Sequence, residues 1–364
     1  MKKRPALILD HAKLRSNMDT AIGWCRDANI DVAGVIKVTG GMASVAKDFE
    51  ACGAKWIASS RLEQLVRARD SGVDLPMLMI RVPMISELPE LVRTCDYSLQ
   101  SDYSVLKATD EEAIRAGKIH NVILMTDLGD LREGFIDKDE LVAVAKYTED
   151  VLSGLHLAGI GTNLGCYGSV IPTGEKMKQL ASYTEAVEEA IGRPLEIVSG
   201  GASSSLMPVF DKEMPAKVNM LRIGEVVFTG PLVQIREAYG RKEVDDMSDE
   251  VFILEAEVIE AGTKPTYPIG ELGVDATGHT AVYKDRGNRK RALLAIGRAD
   301  YGDPGDLVPL IPGAEVLGAS GDHTILDIED CAENLKAGDI VRFKLRYSAI
   351  LYLTASENVT IYEI

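Results

Sequence analysis

The chain has 364 residues, 46% of them hydrophobic and 26% charged, which excludes a mainly disordered polymer and provides ample apolar material for one large or two medium domains. Its 40 Lys and Arg against 56 Asp and Glu give a net charge of −16, so an acidic surface argues against nucleic acid and anionic membrane as partners. Five cysteines at scattered positions show no metal-ligand spacing and no disulfide density, the pattern of a reducing cytoplasm. Met1-Lys2-Lys3-Arg4 precedes too short an apolar run to read as a signal peptide, and no apolar stretch approaches the roughly 20 residues of a membrane helix.

Along the first 235 residues, short apolar runs alternate with helical periodicity. Strands are predicted at Val32–Lys37, Trp56–Ser59, Met77–Ile80, Tyr97–Gln100, Val122–Asp127, His156–Asn163, Leu195–Ser199 and Met220–Ile223. Helices are predicted between them. In Gly174–Ile191, for example, Met177, Leu180, Ala181, Thr184, Val187 and Ile191 form one stripe at 3.6-residue spacing, opposite Lys178, Gln179, Glu185, Glu188 and Glu189. Strands separated by helices pair in parallel, and eight such units imply a (β/α)8 barrel. Arg241–Glu250 reads as a charged linker. Beyond it come β-type runs at Val251–Ile259, Thr280–Tyr283, Ala292–Ile296, Thr324–Ile328, Ile340–Leu345 and Asn358–Ile364, broken by Gly and Pro. The expected architecture is therefore α/β: a barrel over residues 1–235, whose first strand could instead join the second domain, and an all-β domain over residues 236–364.

Catalytic groups in such barrels stand at the C-terminal ends of the strands. Lys37 ends the first strand. The plain alternative is a snorkelling surface lysine, whereas the functional reading is a desolvated amine suited to a Schiff base with a carbonyl cofactor. The fifth strand leads into Thr126-Asp127-Leu128-Gly129-Asp130-Leu131-Arg132-Glu133-Gly134 and the sixth into Gly161-Thr162-Asn163-Leu164-Gly165-Cys166-Tyr167-Gly168. The seventh leads into Ser199-Gly200-Gly201-Ala202-Ser203-Ser204-Ser205 and the eighth into Arg222-Ile223-Gly224-Glu225. Two glycines and three serines opening a helix let backbone amides and hydroxyls approach an anion, and an ordinary N-cap needs only one serine. A lysine after the first strand and a phosphate cradle after the seventh and eighth fit pyridoxal 5′-phosphate.

Taken together, these segments, with Pro268-Ile269-Gly270-Glu271-Leu272-Gly273-Val274-Asp275 and Leu317-Gly318-Ala319-Ser320-Gly321-Asp322-His323, resemble the alanine-racemase-type PLP enzymes over nearly the whole chain, most narrowly the ornithine racemases. The resemblance implies that Lys37 carries the cofactor. It implies that Arg132 lies near the cofactor's phenolic oxygen or the substrate carboxylate, that Arg222 faces the pyridine nitrogen, and that Ser203, with Ser204 beside it, and the Gly224 and Glu225 amides hold phosphate. It also implies that Tyr347, in the C-terminal strand region, supplies a further phosphate hydroxyl. Asn163 stands where alanine racemases stack a histidine on the ring, and Gly41 replaces their tyrosine near the cofactor lysine. Their opposite-face tyrosine follows a Gly-Glu pair at a spacing that here gives Asp275.

Racemisation removes the Cα proton from one face and returns it on the other, so two bases are expected: Lys37 and, from a partner subunit's β domain, Asp275 or His279. Asp275 comes first because it has the spacing, although His279 is the better tuned by default. The plain alternative for each is a polar turn residue. Asp322 is expected to bind an amine side chain. The expected activity is racemisation of a small basic amino acid, ornithine before lysine, by a cytoplasmic homodimer with composite sites and no metal. The alternatives are a PLP-dependent lyase or decarboxylase on the same barrel plan, the decarboxylase disfavoured by Arg222 at the ring nitrogen and a metal-assisted aldolase or dehydratase by the spacing of His323 and Cys331, which makes no compelling metal pair, and a non-catalytic PLP carrier, disfavoured by the second domain.

Overall fold

A computed structural model of the chain describes residues 3–274, 278 and 282–364. The chain divides into two compact units: His11–Ser248, and the segment up to Asp10 together with Asp249–Ile364. The strands in chain order are β1 (Ala6–Leu9), β2 (Asp31–Val35), β3 (Trp56–Ser59), β4 (Met77–Met79), β5 (Tyr97–Gln100), β6 (His120–Met125), β7 (Leu155–Gly161), β8 (Ile197–Ser199) and β9 (Met220–Ile223). They continue with β10 (Phe252–Pro265), β11 (Asn288–Leu294), β12 (Leu307–Pro309), β13 (Glu315–Ala319), β14 (Thr324–Asp327), β15 (Ile340–Leu345) and β16 (Thr360–Glu363).

Strands β2 to β9 form a closed parallel barrel, with β9 returning to β2 through Ala33 opposite Arg222 and Gly34 opposite Ile223. Its interior is filled by Ala33, Val35, Ala58, Leu78, Leu99, Ile123, Met125, Ala158, Ile197 and Met220. Between strands run amphipathic helices such as Gly174–Ile191, capped by the Thr173 hydroxyl on the Lys176 N–H and ended by Gly192 at φ 75°. It buries Met177, Leu180, Thr184 and Val187, one stripe against the barrel. At Gly159 the β7 and β8 backbones come so close that a Cβ would stand 1.9 Å from the Ile197 carbonyl oxygen, which only glycine permits.

The other unit is built on a sheet ordered β12-β15-β10-β11-β14-β13, to which β1 and β16 add. β1 lies antiparallel to β10, with Leu7 opposite Leu254, and parallel to β16, with Leu7 opposite Ile361. The strand expected at Thr280–Tyr283 begins at residues outside the described ones, and Val282 and Tyr283 belong to no strand. Tyr347, expected in a strand region, instead opens the helix Tyr347–Leu353. The reason is local: β15 loses its partner at Leu345, opposite Leu307, where β12 begins.

Candidate active site

Lys37 lies just beyond its strand rather than at its last position. β2 ends at Val35, although the Ile36 N–H still donates to the Ala58 carbonyl at 2.9 Å. Lys37 then opens a one-turn 3-10 helix, Lys37–Thr39, closed by the Gly40 N–H on the Lys37 carbonyl at 3.3 Å. Gly41 follows at φ 75°, and a Cβ there would stand 2.4 Å from the Gln64 Cβ, so no larger residue fits that position as the chain runs here.

The Lys37 amine is held below its ordinary range, first by burial. Around it, Cys166 and Glu225 favour the ammonium, whereas Arg132 and Arg222 favour the neutral amine. Three strand-end segments, those of β6, β7 and β9, therefore converge on one lysine. A surface lysine with its head in water would feel neither the burial nor this assembly.

Arg222 is the buried floor of the site, 3% exposed. Its Nη1 donates to the Ser199 hydroxyl, and its Nη2 to the Thr162 carbonyl at 2.9 Å and to Asn163 Oδ1 at 3.2 Å. Burial lowers its pKa to about 10, which still leaves the guanidinium charged at neutral pH. Arg132 is exposed and is held by Glu133, whose hydrogen bonds raise its pKa.

The loops after β8 and β9 meet at Ser203. Its buried hydroxyl accepts the N–H groups of Gly224 at 3.3 Å and Val226 at 3.4 Å. The Ser204 hydroxyl turns back to the Leu164 carbonyl at 3.0 Å, and Ser205 donates to the Gly200 carbonyl at 2.7 Å. Gly201 makes this packing possible: at φ 118°, a Cβ there would stand 2.5 Å from the Ser205 hydroxyl. Glu225 opens the helix Glu225–Thr229, and its carboxylate accepts the Gln234 N–H at 3.4 Å. Burial raises its pKa, opposed by that hydrogen bond and by Lys37.

Two residues that stand in the strand-end segments of the sequence, but to which the sequence assigns no role, shape the site. Asp130, 1% exposed, gathers the loop after β7: its carboxylate accepts the N–H groups of Gly165 at 3.0 Å, Cys166 at 3.3 Å, Tyr167 at 3.0 Å and Val170 at 3.2 Å. Burial opposes the Asp130 charge, but the donated N–H groups prevail and lower its pKa. Cys166 is thereby set over the mouth, beside Lys37, Arg132 and Arg222. The tight Gly-x-x-Gly spacing of Gly165 to Gly168 marks a loop in the sequence, but not the carboxylate that organises it.

Asp275 and His279 lie outside the described residues. Asp322 is exposed in the turn between β13 and β14, where the Ser320 N–H donates to the His323 carbonyl at 2.8 Å. Both Asp322 and Tyr347 belong to the second unit.

The barrel residues form a donor set of cations, hydroxyls and backbone amides, as a phosphorylated pyridine aldehyde requires. The most specific sign is Asn163. Its amide nitrogen is buried and has no hydrogen-bond partner among the described residues, a donor left for a group that the polypeptide does not supply. The residues thus fit pyridoxal phosphate.

Comparison with known proteins agrees with this geometry. The family described as alanine racemase, N-terminal domain, matches residues 9–231. The chain is 36% identical over 356 residues to an ornithine racemase of Acetoanaerobium sticklandii, covering 98% of each. It is 37% identical over 357 residues to a lysine racemase of Thermotoga maritima, covering 98% of this chain and 97% of that one. Among solved structures, an alanine racemase from a D-cycloserine-producing Streptomyces lavendulae superposes with a TM-score of 0.74 at 15% identity, covering 100% of this chain and 98% of that chain. A D-threonine aldolase from Filomicrobium marinum gives 0.74 at 19% identity, covering 97% and 89%. These last two likenesses concern the fold alone.

Proposed function

The chain belongs to the alanine racemase N-terminal domain family, and on that premise we propose that it is a pyridoxal-phosphate-dependent amino acid racemase acting on a small basic amino acid, ornithine first and lysine second. The observation that carries the reading is the buried Lys37 amine, depressed by desolvation and ringed by Arg132, Arg222, Cys166 and Glu225 at the barrel mouth. The substrate class rests on the names of the two full-length relatives, an ornithine and a lysine racemase.

Pyridoxal phosphate, when bound, supplies a carbonyl for an amine and an electron sink that acidifies the Cα–H bond. Lys37 is the residue that would hold its aldehyde carbon and, once released, move the Cα proton on one face. Ser203, Ser204 and the backbone amides of Gly224 and Glu225 would hold phosphate, with Tyr347 completing the set. Arg222 would stand against the ring nitrogen and Asn163 against the ring. A guanidinium at that nitrogen disfavours a second positive charge there, which favours proton return over competing outcomes. Arg132 would orient the substrate carboxylate, and Asp322 the side-chain ammonium. Asp275 is the proposed base for the opposite face, with His279 the other candidate, contributed by the partner in a homodimer. A cytoplasmic setting fits the five unpaired cysteines.

Chiral chromatography of ornithine, lysine and alanine after incubation with the holoenzyme tests the proposal. Interconversion of ornithine enantiomers, with lysine slower and alanine poor, is expected. Equal turnover of alanine and ornithine removes the basic-substrate reading. Carbon dioxide or an aldehyde formed without the opposite enantiomer makes the protein a decarboxylase or lyase.

A further inference from the structure

The barrel register brings together two residues to which the proposed function gives separate roles. β2 and β9 are neighbours, with Gly34 opposite Ile223, and a Cβ on Gly224 would stand 3.0 Å from the Val35 Cβ. Shortly beyond these positions, Lys37 opens its turn on one strand end and Glu225 opens the helix Glu225–Thr229 on the next. The Gln234 N–H donates to one carboxylate oxygen of Glu225 at 3.4 Å, a long bond that leaves the other oxygen uncommitted to it.

We propose that the Glu225 carboxylate is the counter-charge of Lys37, a positioning residue that keeps a proton on the lysine long enough for it to be returned to substrate. The inference takes Lys37 as the reactive amine of the proposed function. A base that removes a proton at one moment and delivers it at another must be stable as an ammonium in between. Burial and the two guanidinium groups work against that state. Arg132 does so from the loop after β6, and Arg222 from β9 itself. Cys166, from the loop after β7, and Glu225 work for it, and among these four groups Glu225 alone brings a carboxylate. Glu237, in the helix Gln234–Glu237, faces Glu225 and adds negative charge to the same side. The step is a proton transfer only: the substrate Cα–H bond breaks as a Lys37 Nζ–H bond forms, the reverse occurs on return, and no group changes oxidation state.

Competitive acetylation with acetic anhydride tests the pairing in the full chain after dialysis against hydroxylamine to release any bound aldehyde. Lys37 labelling is followed by peptide mass analysis across pH and normalised to the exposed Lys178, with folding of each variant checked by circular dichroism. Glu225→Gln should displace the Lys37 profile to lower pH, with labelling on the order of tenfold faster on the rising limb. Glu225→Asp should restore much of the wild-type profile. Superimposable profiles for wild type and Glu225→Gln overturn the pairing. A displaced profile in a chain that binds no cofactor at Lys37 supports the pairing while removing the cofactor reading. Cofactor held at Lys37 with unmoved profiles does the reverse.

Discussion

Arg222 Nη2 donates to Asn163 Oδ1 at 3.2 Å, and this bond orients the amide so that its nitrogen is buried without a partner among the described residues. The guanidinium has no acceptor, so it dictates which end of the amide it meets. Replacing Asn163 by Leu removes an acceptor for a buried cation and should cost about 1–3 kcal/mol of unfolding free energy. Urea unfolding measures it. A loss below about 0.5 kcal/mol would mean that the Ser199 and Thr162 bonds satisfy Arg222 alone.

Lys37→Ala should lower racemisation by about 10²–10⁴-fold or more, the contribution of a proton-transferring side chain compounded by loss of the attachment point. Borohydride reduction followed by peptide mapping should find cofactor on Lys37 in the wild type and nowhere in the variant. Covalent cofactor surviving in purified Lys37→Ala would place the attachment elsewhere.

Asp130→Asn should loosen the loop after β7. The amide keeps the size but not the charge that four backbone N–H groups converge on, at 3.0 to 3.3 Å. A loss of about 1–3 kcal/mol is expected, with faster hydrogen exchange at Gly165, Cys166, Tyr167 and Val170. Unchanged exchange at those amides would show that the loop stands without its clamp.

His120 predicts an acid limb to stability. Its ring is 2% exposed, and burial lowers its pKa from 6.5 to about 4, with the Ser98 hydroxyl 2.9 Å from Nε2. Between those two values the unfolded chain takes up a proton that the folded chain refuses. The stabilisation is therefore complete above pH 6.5 and lost as pH falls towards 4. The gap corresponds to about 3 kcal/mol. Urea unfolding across that window should show a shallower decline for His120→Gln than for wild type, and equal slopes would assign the limb to carboxylates.

Asp275→Asn should reduce racemisation by about 10²–10⁴-fold and should affect the two directions unequally in isotope exchange, since each enantiomer is deprotonated by a different group. Near wild-type activity in Asp275→Asn together with an inactive His279→Gln would transfer the role to His279. If both variants remain active, neither residue is the base.

What the sequence alone determines here is what depends on short-range pattern. Alternation of apolar runs with 3.6-residue stripes makes Trp56–Ser59, Tyr97–Gln100 and Met220–Ile223 strands and Gly174–Ile191 a helix, because side-chain burial on one face decides the local conformation. Strand-end position likewise singles out Lys37 and Arg222, because a barrel brings every strand's C-terminal end to one rim. Tertiary structure decides whatever depends on partners far along the chain. Ala6–Leu9 is a four-residue apolar run that any sheet could accept, and only its pairing with Phe252–Glu255 and Thr360–Glu363 chooses one. The same holds for the Asp130 clamp on amides 35 to 40 residues away, and for the Asn163 amide that Arg222 turns from 59 residues away. A hydrogen bond leaves no periodic trace in sequence, since one donor and one acceptor suffice and any loop length can join them.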